Sequence, residues 1–432
     1  MSGGLVLEDV RVIDPYREMD VRTTVMVSGG RYVAEMPQEP CERFAGADRL
    51  WLVPRLADLH VHFRDPGATH KEDLLSGSRA SAKGGFAAVG VMPNTVPVTD
   101  QPDMVTDLTR RSEAIDLVDV WPIAAVTRGS LGEEPAPWEA LRERGARALS
   151  DDGRAVVHPQ ILRDALTWSA RSGVPVIQHL EDPALSAGGV AHDGGVAESL
   201  GLKGWPPVAE SAMAFRDVAI LHDTGGRLHF AHVSSVGTLE AVSWARRAGL
   251  SLTAEAAPHH LFLTDEALRD WSGAAVSKVN PPLRPAAIRD ALRQAVADGL
   301  ISVVASDHAP HTADEKREPF ERAPFGISGV ETVVGVLVTV FLQSGMMRPL
   351  DLFARLTTGP HHVISEACRG VLPGAAADFV LIDPAAEWVV DSTAFESRGR
   401  NTPLNGHRLV GRVMATVRRG RVVYREGVVV DG

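Results

Sequence analysis

Apolar residues along the middle of this chain alternate between two rhythms. Short runs (WLVPRLADLHV, FAAVGVMPN, DVWPIAAV, RALSD, VPVIQHL, RLHFAHV, LSLTAEA and ISVVASD) read as buried strands bounded by turn residues. Between them, Lys71 to Lys83, Pro137 to Gly145, Glu210 to His222 and Arg284 to Asp298 carry apolar positions at helical spacing and mostly end near Gly. Strand alternating with helix is the pattern of a parallel sheet wrapped by helices. Eight such strands are the number that closes a (β/α)8 barrel. The expected fold is therefore α/β, a TIM barrel over residues 54–370.

The two ends have another texture. Gly4 to Val12, Thr24 to Val27, Arg31 to Ala34 and Leu50 to Val53 are short β pieces split by Asp-Pro and Gly-Gly turns, and AADFVLID, RLVGRVMATVRRG and RVVYREG repeat that texture near the other terminus. Residues 1–53 and 371–432 are expected to meet as one discontinuous β-sandwich domain beside the barrel.

Composition narrows the class. The chain has 432 residues, 44% of them hydrophobic, enough for a barrel core and a second small domain. A net charge of −11 disfavours an extended phosphate-binding surface, so no nucleic-acid partner is expected. The longest apolar run, Val333 to Leu342, is too short to cross a bilayer and reads as a buried helix. The opening MSGGLVLEDV lacks the form of a signal peptide. Cys41 and Cys368, far apart, suit a reducing cytoplasm better than a disulfide framework.

Chemistry enters at the strand ends, where a barrel of this kind builds its active site. His60 and His62, two apart on one strand, share a face, while Leu59, Val61 and Phe63 pack the other. Asp151 or Asp152 ends the fourth strand, His179 the fifth, His232 the sixth and Asp307 the eighth. A histidine and carboxylate set without a thiolate favours Zn2+. Six candidate ligands exceed what one tetrahedral ion takes, so a binuclear centre with a bridging Asp is expected. An isolated Asp-Asp-Gly is an ordinary turn; its place in the strand series gives it the other reading. His259 and His260 receive no role, the remaining histidines read as structural, and His308 would point away from Asp307 on a continuing strand.

HVHFRDPG, the MPNT at Met92 to Thr95, SDDG, the NPPLR at Asn280 to Arg284, SDHAPH, the APFGISGVET at Ala323 to Thr332 and the NTPLNG at Asn401 to Gly406 together resemble the bacterial type I dihydroorotases of the amidohydrolase superfamily. The resemblance implies that His60, His62 and Asp307 hold one Zn2+, that His179 and His232 hold the second, and that Asp152 bridges them. It implies reversible hydrolysis between L-dihydroorotate and N-carbamoyl-L-aspartate in pyrimidine (UMP) biosynthesis, with a zinc-activated hydroxide as nucleophile and Asp307 as general acid/base. Arg64, Asn94 and His311 would receive the substrate carboxylate, and Asn280 with the backbone of Phe325 and Gly326 the ring. A guanidinium grips a carboxylate through two parallel hydrogen bonds, a fork that Lys cannot supply. The resemblance also raises a homodimer and association with aspartate transcarbamoylase.

Two other readings use the same residues. An allantoinase or hydantoinase would work on another ring; no Lys lies near the fourth strand's end to serve as the carbamylated bridge of those relatives. A non-catalytic assembly subunit need keep no ligands, yet all six positions are filled. LTTGPHHV, Leu356 to Val363, departs from the family's Asn-Pro-Ala pattern and leaves the local helix geometry open.

Overall fold

The computed structural model describes residues 4–270 and 273–430. Eight parallel strands form one sheet in chain order: β1 (Leu56–Val61), β2 (Phe86–Val91), β3 (Asp119–Ala124), β4 (Ala148–Ser150), β5 (Val176–Gln178), β6 (Leu228–Phe230), β7 (Leu252–Ala256) and β8 (Val303–Val304). Beyond the end of β8, a parallel bridge between Val61 and His308, with the His62 N–H donating to the His308 carbonyl at 2.8 Å, brings the last strand back against the first. The result is a nearly closed barrel.

Small and branched side chains fill its interior. Ala57, Leu59, Ala88, Ile123, Ala148, Ile177, Ala231 and Val303 form one buried cluster drawn from six of the eight strands and from the residue just past β6, and a cluster with that membership can only lie on the barrel axis. Val61 and Phe63 belong instead to the large cluster shared with the surrounding helices. The simple alternation expected of Leu59, Val61 and Phe63 therefore fails. The pairing of β1 with β2 shifts register between Asp58 and Val61, and that shift rotates the strand as it approaches the barrel mouth.

Helices form where the spacing placed them. Leu74–Lys83 starts on a capping box in which Asp73 accepts from the Ser76 N–H at 2.8 Å. Val208–Thr224 and Ala286–Ala297 follow the expected segments. The buried run Val333–Leu337 passes into a wider π turn, Val338–Leu342. LTTGPHHV does form a helix, Thr358–Val363, and its His361 ties the barrel to the terminal sheet by a 2.8 Å hydrogen bond to the Tyr16 hydroxyl. Among the described residues, no helix is long and apolar enough to cross a membrane.

The terminal segments build a separate nine-stranded sheet. Gly4–Asp14 pairs antiparallel with Met19–Ser28 and parallel with Trp51–Pro54; Trp51–Pro54 pairs antiparallel with Phe379–Val389, and that strand with Arg408–Arg418. Leu7, Val10, Val12, Val27, Leu52, Phe379, Leu381 and Val417, from both ends of the chain, share its apolar core. At the junction with the barrel, Arg55 pairs with Asp378 and Glu366 at 2.6 Å each and with Asp119 at 2.9 Å.

Candidate metal centre and active site

Buried histidines and carboxylates converge at the C-terminal mouth of the barrel. His60 lies within β1 and His62 just past it; His179 directly follows β5; Asp152, His232 and Asp307 sit on the turns after β4, β6 and β8. Asp307 is not on a continuing strand, since β8 stops at Val304. Arg64, His232 and Asp307 have φ of 56°, 32° and 48°, in the left-handed region that non-glycine residues seldom occupy.

Asp152 stands at the centre. Its Oδ2 is 3.4 Å from His60 Nε2 and 3.6 Å from His62 Nε2, while its Oδ1 is 3.4 Å from both His179 Nδ1 and His232 Nε2. Asp307 Oδ1 lies 3.3 Å from His62 Nε2 and 3.7 Å from His60 Nε2. Asp151 faces elsewhere: its carboxylate accepts from the Val126 and Thr127 N–H groups at 2.9 and 3.0 Å and from the Thr127 hydroxyl at 2.5 Å. Of the two adjacent acids, only Asp152 meets the histidines.

The second nitrogen of three histidines is anchored outside the cluster. His60 Nδ1 meets Glu255 at 2.7 Å, His62 Nδ1 meets the Asn94 side-chain oxygen at 2.8 Å, and His179 Nε2 meets Glu181 at 3.0 Å. These acceptors put the ring protons on the outer nitrogens, and the lone pairs of the inner ones then face Asp152. His60 Nε2 and Asp152 Oδ1 are buried with no hydrogen-bond partner, and two imidazole nitrogens, His179 Nδ1 and His232 Nε2, face each other at 3.0 Å. Buried polar atoms without partners call for an explanation. A cation supplies one, because the donor atoms of His60, His62 and Asp307, and those of His60, Asp152 and His232, each lie within 4.8 Å of one another. Burial opposes charge on His179, yet Asp152 and Glu181 raise its pKa to about 10, a sign of the negative field these carboxylates set up. Burial also opposes ionisation of Asp307, but the neighbouring histidines hold its carboxyl well below the ordinary range.

A cationic patch adjoins the cluster. Arg64 Nη2 is 3.3 Å from His311 Nε2, its Nε donates weakly to the Pro310 carbonyl at 3.4 Å, and no carboxylate pairs with it among the described residues. Asp65, its neighbour in sequence, is taken by Arg111 at 2.5 and 2.9 Å. His311 Nε2 donates to the Phe325 carbonyl at 2.8 Å, and burial, reinforced by Arg64, Lys316 and Lys71, lowers its pKa far below the usual imidazole value. Asn280 donates to Glu181 at 2.8 Å, beside His179. Gly326 follows Phe325, with its carbonyl held by Asn401 at 3.0 Å. Asn94 and Asn280 thus attach to the metal-ligating cluster and its Glu181, while Arg64, His311 and the Phe325 carbonyl contact one another, with Gly326 next in the chain. A cleft of about 710 Å³, lined in part by Gly153, Arg154, Val157 and Glu181, opens beside it.

Three acids of the site went unassigned in the sequence. Glu255 bridges His60 Nδ1 and, at 3.0 Å, His229 Nε2, and both partners and Glu255 itself are buried. Glu181 joins His179 to Asn280. Asp58 accepts from the His60 and Ser306 N–H groups at 3.1 and 3.0 Å, tying β1 to the loop after β8; burial pushes its carboxyl up to about 6 against these bonds. Glu255 and Glu181 both sit at strand ends, in LTAEA and QHLED, so the signal that singled out the ligands also covered them. His308 does lie outside the cluster, but because its ring meets Glu72 at 3.2 Å. His260 donates to the Pro281 carbonyl at 2.9 Å, and burial lowers the pKa of His259 to about 4.

Comparison with known proteins agrees with this geometry. Residues 49–238 match the family model described as Dihydro-orotase-like. Curated proteins named Dihydroorotase align over nearly the whole chain: that of Anaeromyxobacter dehalogenans is 43% identical over 99% of both chains, that of Pelotomaculum thermopropionicum 42% identical over 98% of this chain and 99% of its own, and that of Mycobacterium tuberculosis 39% identical over 97% and 98%. Among solved structures, an L-hydantoinase (dihydropyrimidinase) from Arthrobacter aurescens superposes with a TM-score of 0.87 at 22% identity over 99% of this chain and 97% of its own. A dihydropyrimidinase from Brevibacillus agri gives 0.85 at 20% identity over 99% and 96%. At those identities the structural likeness speaks for the fold alone.

Proposed function

The chain belongs to the dihydroorotase family, and we propose that it interconverts L-dihydroorotate and N-carbamoyl-L-aspartate by reversible hydrolysis of the ring amide. His60, His62 and Asp307 would hold one Zn2+ and His179 with His232 a second, Asp152 lying between. The buried donor atoms without partners support this assignment. Bound there, zinc supplies a Lewis acid for the carbonyl and lowers the pKa of water from about 15.7 to about 7.

The chain's own residues do the rest. Asp307 takes a proton from the attacking water and delivers it to the ring nitrogen as the C–N bond breaks, because an amide anion is a poor leaving group. Arg64, Asn94 and His311 grip the substrate carboxylate. With its side-chain oxygen occupied by His62, Asn94 still has its NH2 to donate. Asn280 and the backbone at Phe325 and Gly326 flank the ring.

The observation that carries this reading over another cyclic amide is Arg64, a guanidinium beside the metal-ligating cluster with no paired carboxylate among the described residues. A hydantoin or allantoin ring brings none, and would leave that charge without a counterpart. A non-catalytic scaffold would need neither the ligands nor Arg64. The test supplies dihydroorotate and carbamoyl aspartate to the purified protein before and after chelation. Turnover in both directions is expected, lost on chelation and restored by Zn2+. Ring closure consumes a proton, so the equilibrium should favour dihydroorotate at lower pH. Turnover of hydantoin or allantoin but not of dihydroorotate would overturn the assignment.

The organisation follows the same reading: residues 1–53 and 371–432 form one discontinuous domain and 54–370 the catalytic one. Cys41 and Cys368, both unpaired, suit a reducing cytoplasm. A homodimer and association with aspartate transcarbamoylase extend the family reading to assembly, and sedimentation with and without that partner tests both.

A further inference from the structure

Two lysines are buried behind the substrate-facing loop, each about 1% exposed, and neither has a carboxylate within ion-pair distance among the described residues. Lys278 Nζ donates to three backbone carbonyls, those of Phe320 at 2.6 Å, Ala323 at 2.7 Å and Glu321 at 3.1 Å. Lys316 Nζ takes the next carbonyl, Pro324, at 2.8 Å, and lies 3.4 Å from the carbonyl of Lys278. That Lys278 carbonyl also accepts the Gly326 N–H at 2.9 Å, and the Lys278 ammonium sits 4.4 Å over the Phe325 ring. An ammonium has three donors and no acceptor, so three converging carbonyls saturate it.

The arrangement is costly, since an ammonium buried without a counter-ion is disfavoured. Burial lowers Lys278 to about 8, with Glu321 opposing, and Lys316 to about 7, with Lys278 and Arg64 adding to the effect. In return, an irregular loop has its carbonyls satisfied and its path fixed. Lys278 also precedes Asn280 by two residues, so one residue joins the two walls between which the ring would lie.

We propose that Lys278 is a positioning residue: its ammonium holds the 320–326 loop at a fixed distance from Asn280 and thereby sets the width of the ring-binding slot. This rests on the dihydroorotase reading for its substrate and on geometry alone for the clamp.

The experiment compares the zinc-loaded wild type with Lys278→Met, which keeps the apolar stem and removes the three donors. Amide hydrogen exchange, read without substrate, should rise at least about 10-fold across 320–326 and stay unchanged across the barrel strands. KM for dihydroorotate should rise about 10-fold, the equivalent of one or two lost hydrogen bonds, with kcat within about 3-fold and zinc per chain unaltered. Unchanged exchange in the loop overturns the clamp. Raised exchange with an unaltered KM overturns the positioning role, as does a fall in kcat and zinc content with KM constant. If Lys278→Met does not fold, Lys316→Met, which frees only Pro324 and the Lys278 carbonyl, should show the same pattern at smaller amplitude; its absence there counts equally against the proposal. A wild type inert toward dihydroorotate defeats the functional reading, while the exchange comparison still judges the clamp.

Discussion

Two clusters of charge sit at opposite ends of the barrel, a half-buried one around Arg55 and a buried one around Asp152. At the base, Arg55 meets Asp378, Glu366 and Asp119 at 2.6 to 2.9 Å and donates to His361 Nε2 at 3.1 Å. At the mouth, Asp152 faces four imidazole nitrogens at 3.4 to 3.6 Å, with buried atoms left over and the backbone reversed at His232 and Asp307. The base meets its acids in short ion pairs, with Arg147 on Glu366 and Arg418 on Asp119 adding to Arg55. The mouth leaves longer contacts and buried lone pairs without partners. A structural ion cluster is complete in the protein alone, whereas a functional one is complete only with something added.

That contrast can be broken by changing each end in turn. Asp307→Asn, at the mouth, should lower kcat by about 10²- to 10⁴-fold, the usual worth of a positioned acid/base. Its melting temperature should stay at the wild-type value, and steady-state turnover near wild type would remove Asp307 from its role. Arg55→Met, at the base, should do the reverse. Asp378 loses its side-chain cation while Asp119 keeps Arg418 and Glu366 keeps Arg147, and the cost of about 1 to 3 kcal/mol should be visible as a lower Tm and denaturant midpoint, with kcat per folded chain little altered. A Tm unchanged by that substitution would mean the base is solvent-screened rather than structural. Glu255→Gln probes between the two ends, because it leaves every expected ligand in place while weakening the hold on His60 Nδ1. Metal titration should show affinity reduced about 10- to 100-fold at one site, with Tm of the metal-free protein nearly constant. Equal metal affinity in both proteins would assign Glu255 to the base-like class of purely structural acids.

The barrel and its ligand series were legible in the sequence because they rest on local signals: apolar runs of strand length, and polar residues at the point where each run stops. Asp152 could be singled out only through family resemblance, since nothing local separates it from Asp151; the Thr127 hydroxyl and the peptide N–H groups that claim Asp151 lie 24 and 25 residues away. Glu255 carried the right local signal but has no partner nearby in the chain, as His60 is 195 residues distant. Left-handed backbone at Arg64, His232 and Asp307 has no sequence signature at all, because the residues are not glycine and tertiary packing imposes the conformation. The alternation read for Leu59, Val61 and Phe63 failed for a related reason: a register shift is a property of two strands, and one strand's pattern does not reveal it.

The terminal sheet has a temporal side. Trp51–Pro54 has Gly4–Asp14 on one flank and Phe379–Val389 on the other, so a ribosome must add more than three hundred residues before the second flank exists. Until then the nascent chain carries an apolar strand with an open edge, the kind of template on which chains pair wrongly. Every chain that terminates before Phe379–Val389 keeps that edge exposed.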